Sequence, residues 1–142
     1  MRQPTTSEQL AYEELQCYTL AHGDPAFIHQ YVVDAYAAQH ADETTKPIAL
    51  TFALIGLCLH LDHGFTGRQV QRAHMALARD KRGWPSFPLP AERGVITAVD
   101  AVSMPEGHER EEAIDRWCVS VWTAFRDSQQ AVAALLREHR IL

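Results

Sequence analysis

Histidines are the side chains in this sequence that are best suited to chemistry. The chain has 142 residues and eight histidines, and six of the eight lie between His22 and His74. Histidine is a common metal ligand, and it can donate or accept a proton near neutral pH. The first functions to consider are therefore those of a metal site and of an acid–base site.

Two of these histidines, His60 and His63, have a spacing that would let one helix present both to a single metal ion. A third ligand would have to come from another helix, and His40, Asp34 and His74 are the candidates. The sequence has no HExxH, Glu-x-x-His or HxxxH pattern of the kind that helical metal sites use. A divalent metal such as zinc, bound by His60, His63 and His40, is the alternative to a protein without a cofactor.

The position of His60 and His63 favours a structural role over a metal site. Both lie at the end of an apolar run, in the last turn before Gly64. A positive charge there interacts favourably with the C-terminal end of the helix dipole. Buried polar side chains also commonly link the helices of a bundle by hydrogen bonds. We therefore predict no stoichiometric metal at these two histidines, and no cofactor.

Further polar side chains lie in one mostly apolar stretch, GDPAFIHQYVVDAYAAQHA, at residues 23–41. It contains no lysine or arginine, so we interpret it as a central helix and not as an outer, solvated one. Asp34 points about 140° away from His29 around that helix, so the two cannot face a common substrate. We expect a buried hydrogen-bonded network here. Its expected members are His29, Asp34 and Tyr36.

Apolar residues recur at helical spacing along most of the chain, which predicts an all-α structure. We expect a single-domain bundle of five to six helices, with a proline-rich loop around 83–96 and a loose leader at 1–6. The first three predicted helices run from the N-cap Ser7 to about His22, from Asp24 and Pro25 to Ala41, and from Pro47 to His63. A fourth helix is predicted from Thr66 to about Arg82, and a short fifth one begins at a cap formed by Thr97 and Asp100. The last segment, from Glu109 to Leu142, is predicted to be one helix, or two with a bend near Asp127–Ser128.

The third predicted helix is apolar on nearly every side, which is typical of a buried helix, and it is too short to span a bilayer comfortably. One stripe along it consists of Ala49, Ala53, Gly56 and His60. A neighbouring helix can approach closely along small residues. We therefore predict that Gly56 lies against another helix.

The fourth predicted helix carries an arginine stripe within an arc of about 80°. Its members are Arg68, Arg72, Arg79 and Arg82. The net charge of the whole chain is −5, which argues against nucleic acid or an anionic membrane as a partner. We expect the stripe to be solvated, paired weakly with the acidic segment 106–112 or available to an acidic protein partner.

Three cysteines, Cys17, Cys58 and Cys118, lie far apart in apolar helical patterns. Buried free thiols in a reducing compartment explain them better than disulfides or a Cys-x-x-Cys metal site. The N-terminus lacks the apolar run of a signal peptide, and no stretch reaches transmembrane length. We expect a cytoplasmic protein without a membrane partner.

The sequence contains the motifs HxxxxDAYxxQH at 29–40, LIGLCLHLDHG at 54–64 and RWCVSVW at 116–122. Together they resemble an uncharacterised bacterial family that is known only as a domain of unknown function. The resemblance spans roughly Ala11 to Leu136 and implies a small helical fold. It assigns no role to the motif side chains, which are His29, Asp34, Tyr36, Gln39 and His40. Some members carry an N-terminal Cys-x-x-Cys pair, which this sequence lacks, so no zinc knuckle is implied.

These patterns predict a non-catalytic binding or accessory protein that acts as a homo-oligomer through an apolar helical face. The alternative is a metal-dependent helical-bundle hydrolase or transferase that uses the histidine cluster. A closed, hydrogen-bonded histidine network would favour the binding protein. A metal site with an open position and a pocket would favour the enzyme.

Overall fold

The computed structural model describes residues 5–22, 26–80 and 83–142. The regular secondary structure in these ranges is entirely helical, which confirms the predicted all-α class. They contain seven α-helices and one turn of 3-10 helix at Arg126–Ser128. The α-helices are α1 (Thr6–Ala21), α2 (His29–Gln39), α3 (Pro47–His63), α4 (Gly67–Ala78), α5 (Ala98–Val102), α6 (His108–Ala124) and α7 (Gln129–Glu138).

α3 lies at the centre of the fold and packs along α2. The two helices are antiparallel, since Tyr31 stacks on His60 while Asp34, further along α2, lies against Gly56. One hydrophobic cluster joins buried side chains from all seven α-helices. None of the helices in the described ranges has the length and apolarity needed to cross a bilayer.

The close approach predicted at Gly56 is confirmed. A Cβ added there would overlap the carboxylate of Asp34 on α2. Ala53 on the same stripe is also buried, whereas Ala49 is exposed at the start of α3. The stripe therefore contacts a neighbour only along its later part.

Capping boxes begin three of the helices, and each pairs a threonine with a side chain three residues later. The boxes of α4 and α5 confirm the predicted caps Thr66 and Thr97. For α1 the predicted cap Ser7 is wrong, because Thr5 caps the helix by accepting from the Glu8 N–H. The last two residues of the predicted leader therefore have a helical role, since Thr5 caps α1 and Thr6 is its first residue. Residues 1–4 lie outside the described ranges.

α2 begins at His29, later than the predicted start at Asp24–Pro25, which lies outside the described residues. Phe27 is the physical reason, because its φ of 57° is left-handed and interrupts a right-handed helix. The Phe27 carbonyl lies so close to Gly67 that a Cβ there would overlap it. The start of α4 therefore packs directly on this turn.

The proline-rich loop 83–96 packs against the C-terminal end of α2, in agreement with the prediction of a packed loop. Arg93 in this loop is only 4% exposed. Its guanidinium donates to the carbonyl oxygens of Ala38, Gln39 and Ala41. These contacts satisfy carbonyl groups that a helix end leaves without intrahelical partners. α2 accordingly ends at Gln39 and not at the predicted Ala41.

The last predicted segment is two helices, α6 and α7, separated by the 3-10 turn at Arg126–Ser128, where the bend was expected. This division brings the number of α-helices in the described ranges above the predicted five to six. α7 ends at Glu138 and not at Leu142, since Arg140 has a left-handed φ of 61°. α4 similarly ends at Ala78, before the predicted Arg82, which is outside the described residues.

Candidate functional site

A cleft opens where the start of α2, the end of α3 and the first half of α6 meet. Its volume is about 270 Å³. Apolar side chains form part of its wall, and three carboxylates with two histidines form the rest. We call it the acidic cleft, and it is lined by Ala26, Ile28, Tyr31, His60, His108, Glu111, Glu112 and Asp115.

His60 is held in this cleft from two sides. Its Nε2 lies 2.9 Å from Oδ1 of Asp115, and its ring stacks on Tyr31 with the centroids 3.5 Å apart. Tyr31 is fixed in turn, because its hydroxyl donates to the Phe65 carbonyl at 2.7 Å. The side chain of His60 is 14% exposed and that of Asp115 is 58% exposed. His60 is therefore held in place by contacts with both α2 and α6, and the three carboxylates of the cleft attract cationic groups.

The three histidines proposed as metal ligands are placed differently from one another. His63 is exposed at the end of α3, whereas His60 is bound to Asp115. His40 is nine residues beyond Tyr31, the α2 residue that touches His60, which corresponds to about 14 Å along the helix. The described residues contain no group of three His, Cys, Asp or Glu side chains that could hold a metal ion.

His40 instead belongs to an aromatic cluster between α1 and α2. Its Nε2 lies 3.3 Å from Oε2 of Glu8, and its ring contacts Tyr36. Tyr36 stacks on Tyr12 with the ring centroids 3.8 Å apart. Burial raises the pKa of Tyr12, and the nearby Tyr36 and Asp34 raise it further. The Tyr12 phenol therefore stays protonated at neutral pH, and the cluster joins α1 to α2.

Asp34 is a buried carboxyl that lies against Gly56. Its Oδ1 accepts from Gln30 Nε2 at 3.1 Å, while its Oδ2 has no hydrogen-bond partner among the described residues. Burial raises the pKa of Asp34 well above its usual value, although the Gln30 hydrogen bond acts in the opposite direction. An isolated buried carboxylate is costly, so the neutral acid is favoured.

Gln30 connects Asp34 to α4. Its Nε2 lies 3.5 Å from Nδ1 of His74, and Nε2 of His74 lies 2.8 Å from the Phe52 carbonyl. Only a protonated Nε2 can donate to that carbonyl, so the neutral ring carries its hydrogen on Nε2, and Nδ1 can accept from Gln30. Burial lowers the pKa of His74, with a smaller opposing effect from Phe52. Asp34 is thus part of a buried chain of polar contacts, but both of its other members, Gln30 and His74, lie outside the predicted network.

His29 and Gln39, two further motif side chains, lie on different sides of α2. His29 faces α1, where its Nδ1 lies 3.0 Å from Oγ1 of Thr19, and burial lowers its pKa. Gln39 accepts from Trp117 Nε1 at 2.8 Å and donates to the Ile96 carbonyl at 2.8 Å. The five motif side chains therefore do not converge on one site. His29, Tyr36 and His40 contact α1, Asp34 lies against α3, and Gln39 contacts α6.

The two buried thiols, Cys58 and Cys118, are unsuited to nucleophilic catalysis. Burial is the main reason that the pKa of Cys58 is raised to about 12 and that the pKa of Cys118 is well above its usual value. Cys17 is exposed, so the prediction that it is buried is wrong. It lies on the same side of α1 as Leu10, which is 60% exposed, and an apolar pattern alone did not distinguish that side from the core.

A family model described as "Family of unknown function (DUF5946)" matches residues 9–126. The chain belongs to this family. The match confirms the predicted resemblance to a domain of unknown function. No curated protein and no solved structure matches the chain.

The DUF5946 match runs from the first turn of α1 through α6, and it includes the whole acidic cleft and all five motif side chains. Two buried arginines within it were missed by sequence reasoning. One is Arg93, and the other is Arg110, which donates to the carbonyl oxygens of Met104 and Val102. Asp115 was missed as well, although it shares a helix face with Glu111 and Glu112. Only that i, i+4 spacing of carboxylates could have signalled it.

The predicted arginine stripe lies along α4, and Met75 is exposed on the same side of the helix. Arg68, Arg72 and Arg79 are exposed, and between them Met75 is 57% exposed. The four residues fall within an arc of about 60°, and we call them the basic face. Arg82, the fourth predicted member, is outside the described residues.

The basic face has few contacts with the rest of this DUF5946 chain. Arg68 lies over the Phe27 ring, 4.0 Å from its centroid, and donates to Gln71 Oε1. Within the ranges that the structure describes, Arg72 and Arg79 form no ion pair, and none joins the basic face to segment 106–112. The fold therefore does not use these two charges.

Proposed function

We propose that this chain is a non-catalytic binding protein that acts as a homo-oligomer. The observation that carries the proposal is the basic face, where the largely exposed Met75 lies between Arg72 and Arg79, which form no ion pair within the described residues. Arginine and methionine are enriched in the cores of protein interfaces. We propose this face in place of the apolar helical face that the sequence led us to expect.

The chemistry of the basic face favours an acidic protein surface as its partner. Arginine pairs with carboxylates through two parallel hydrogen bonds, and methionine contributes adaptable apolar contact. The net charge of −5 opposes nucleic acid and anionic membranes as partners, and it supplies acidic surface for self-association. The cytoplasmic and bacterial setting expected from the sequence remains part of the proposal, and the three free cysteines agree with a reducing compartment.

The use of the histidines supports a binding protein over an enzyme. Seven of the eight lie beside a polar group of the protein, in separate pairs and not in one network. The pairs are His22 with Tyr18, His29 with Thr19, His40 with Glu8, His60 with Asp115, His74 with Phe52, His108 with Glu112, and His139 with Asp80. The metal-dependent alternative needs His40 and His63 beside His60, and no contact in the described residues favours it.

Sedimentation velocity of the untagged protein tests the proposal. We expect a dimer or larger oligomer at micromolar concentration, and no retention on heparin or duplex DNA at physiological salt. A monomer at every concentration would contradict self-association. Wild-type retention on DNA that is lost in an Arg72→Glu, Arg79→Glu variant would show instead that the basic face binds nucleic acid.

A further inference from the structure

We propose that the basic face of one copy docks on the acidic cleft of a second copy, and that the reverse contact forms at the same time. This inference rests on the proposed self-association and names the two surfaces that form it. The dimer would have two-fold symmetry and two identical contacts.

Charge complementarity is the first argument. Arg72 and Arg79 project from one side of α4 and have no ion pair within the described residues. In the acidic cleft, Glu111 is also exposed and has no ion-pair partner in those residues, while Glu112 pairs only with neighbours on its own helix. Arginine–carboxylate pairs across an interface fix both its orientation and its specificity.

The shapes of the two surfaces are the second argument. The acidic cleft has about 270 Å³ of free volume and an apolar part formed by Ala26, Ile28 and Tyr31. The basic face has one apolar projection, Met75, which lies between Arg72 and Arg79. An unbranched, flexible methionine suits an irregular apolar recess. Docking would place Met75 in that recess and the two arginines beside the carboxylates.

The positions of the two surfaces are the third argument. Arg68 of the basic face stacks on Phe27, and the residues on either side of Phe27 both line the acidic cleft. Met75 is about 10 Å further along α4 than Arg68. Two complementary surfaces that adjoin each other on one molecule meet the requirement for a closed, isologous dimer.

Two charge-reversal variants test this pairing. One has a reversed basic face (Arg72→Glu, Arg79→Glu), and the other has a reversed acidic cleft (Glu111→Lys, Glu112→Lys). Each alone should dimerise at least about tenfold more weakly than wild type, because like charges meet at both contacts. A mixture of the two should form a heterodimer with near wild-type affinity, because opposite charges then meet at both contacts.

Two further variants serve as controls. Met75→Ser should weaken the wild-type dimer without changing its charge. Arg126→Glu, Arg137→Glu makes the same change in net charge as the reversed basic face, at two other exposed arginines, and should dimerise like wild type. Circular dichroism and thermal unfolding should show that every variant keeps the wild-type fold.

The outcomes separate this inference from the proposed function. If wild type dimerises but both reversed variants still dimerise equally well, the surfaces named here are wrong while self-association stands. If each variant dissociates but the mixture stays monomeric, the two surfaces do not bind each other, and an acidic protein partner for the basic face takes precedence. If wild type is a monomer, the proposed function itself fails.

Discussion

Replacing Gly56 with leucine should destabilise the protein by about 3 kcal/mol, measured as the free energy of unfolding in urea. Gly56 is buried where α3 meets α2, and even a Cβ there would overlap the Asp34 carboxylate. A leucine must therefore push the two helices apart, and the antiparallel pair at the centre of the fold would lose its close packing.

Gly56→Ala separates this steric effect from helix propensity. Alanine normally stabilises a helix interior by about 1 kcal/mol relative to glycine. At position 56 we expect alanine to lower the free energy of unfolding instead, because the added methyl group overlaps the Asp34 carboxylate. The matched control is Ala49→Leu on the exposed start of the same helix, which should change stability by less than about 0.5 kcal/mol. An unchanged urea midpoint for Gly56→Leu would contradict the packing of α3 on α2.

The second large effect concerns the buried carboxyl of Asp34. As the pH rises from about 4 toward its raised pKa, the folded state keeps a proton on Asp34 that the unfolded state has released. Stability contributed by this group must therefore fall as the pH rises through that window, by about 1.4 kcal/mol for each unit of pKa shift. Asp34→Asn mimics the neutral acid and should abolish this fall.

The measurement is the difference in the free energy of unfolding between Asp34→Asn and wild type, taken at pH 5 and at pH 8. The difference is needed because His29 and His74 have lowered pKa values, which give wild-type stability the opposite slope near pH 6. We expect Asp34→Asn to become more stable relative to wild type as the pH rises from 5 to 8. Glu43→Gln, which removes an exposed carboxylate, should follow wild type. A difference that does not change with pH would show that Asp34 is ionised in the folded protein.

Helix starts and ends were predictable where the signal is local. The caps Thr66 and Thr97 and the C-terminal Gly64 are correct because the hydrogen bonds that define them involve residues within about four positions. The start of α2 was not predictable in this way. It depends on the left-handed turn at Phe27, which packs against Gly67, forty residues away in sequence.

The polar contacts were predictable by residue type but not by partner. An apolar stretch without lysine or arginine indicated that its few polar residues are buried and hydrogen-bonded, as Asp34 and Gln39 are. Its partners lie far away in sequence, since Gln39 meets Trp117 and Gln30 meets His74. Likewise His60 was a candidate from its spacing, whereas its partner Asp115 became visible only once α6 was placed beside α3. Helix packing, which local patterns do not specify, decides these pairs.

Elemental analysis of untagged protein tests most directly whether the histidines join helices or bind a metal ion. Inductively coupled plasma mass spectrometry on wild type and on His60→Ala is the measurement, after purification without chelators. We expect far less than one equivalent of zinc, nickel or iron in both samples. Close to one equivalent in wild type, lost in His60→Ala, would contradict the binding-protein proposal and favour a metal-dependent enzyme.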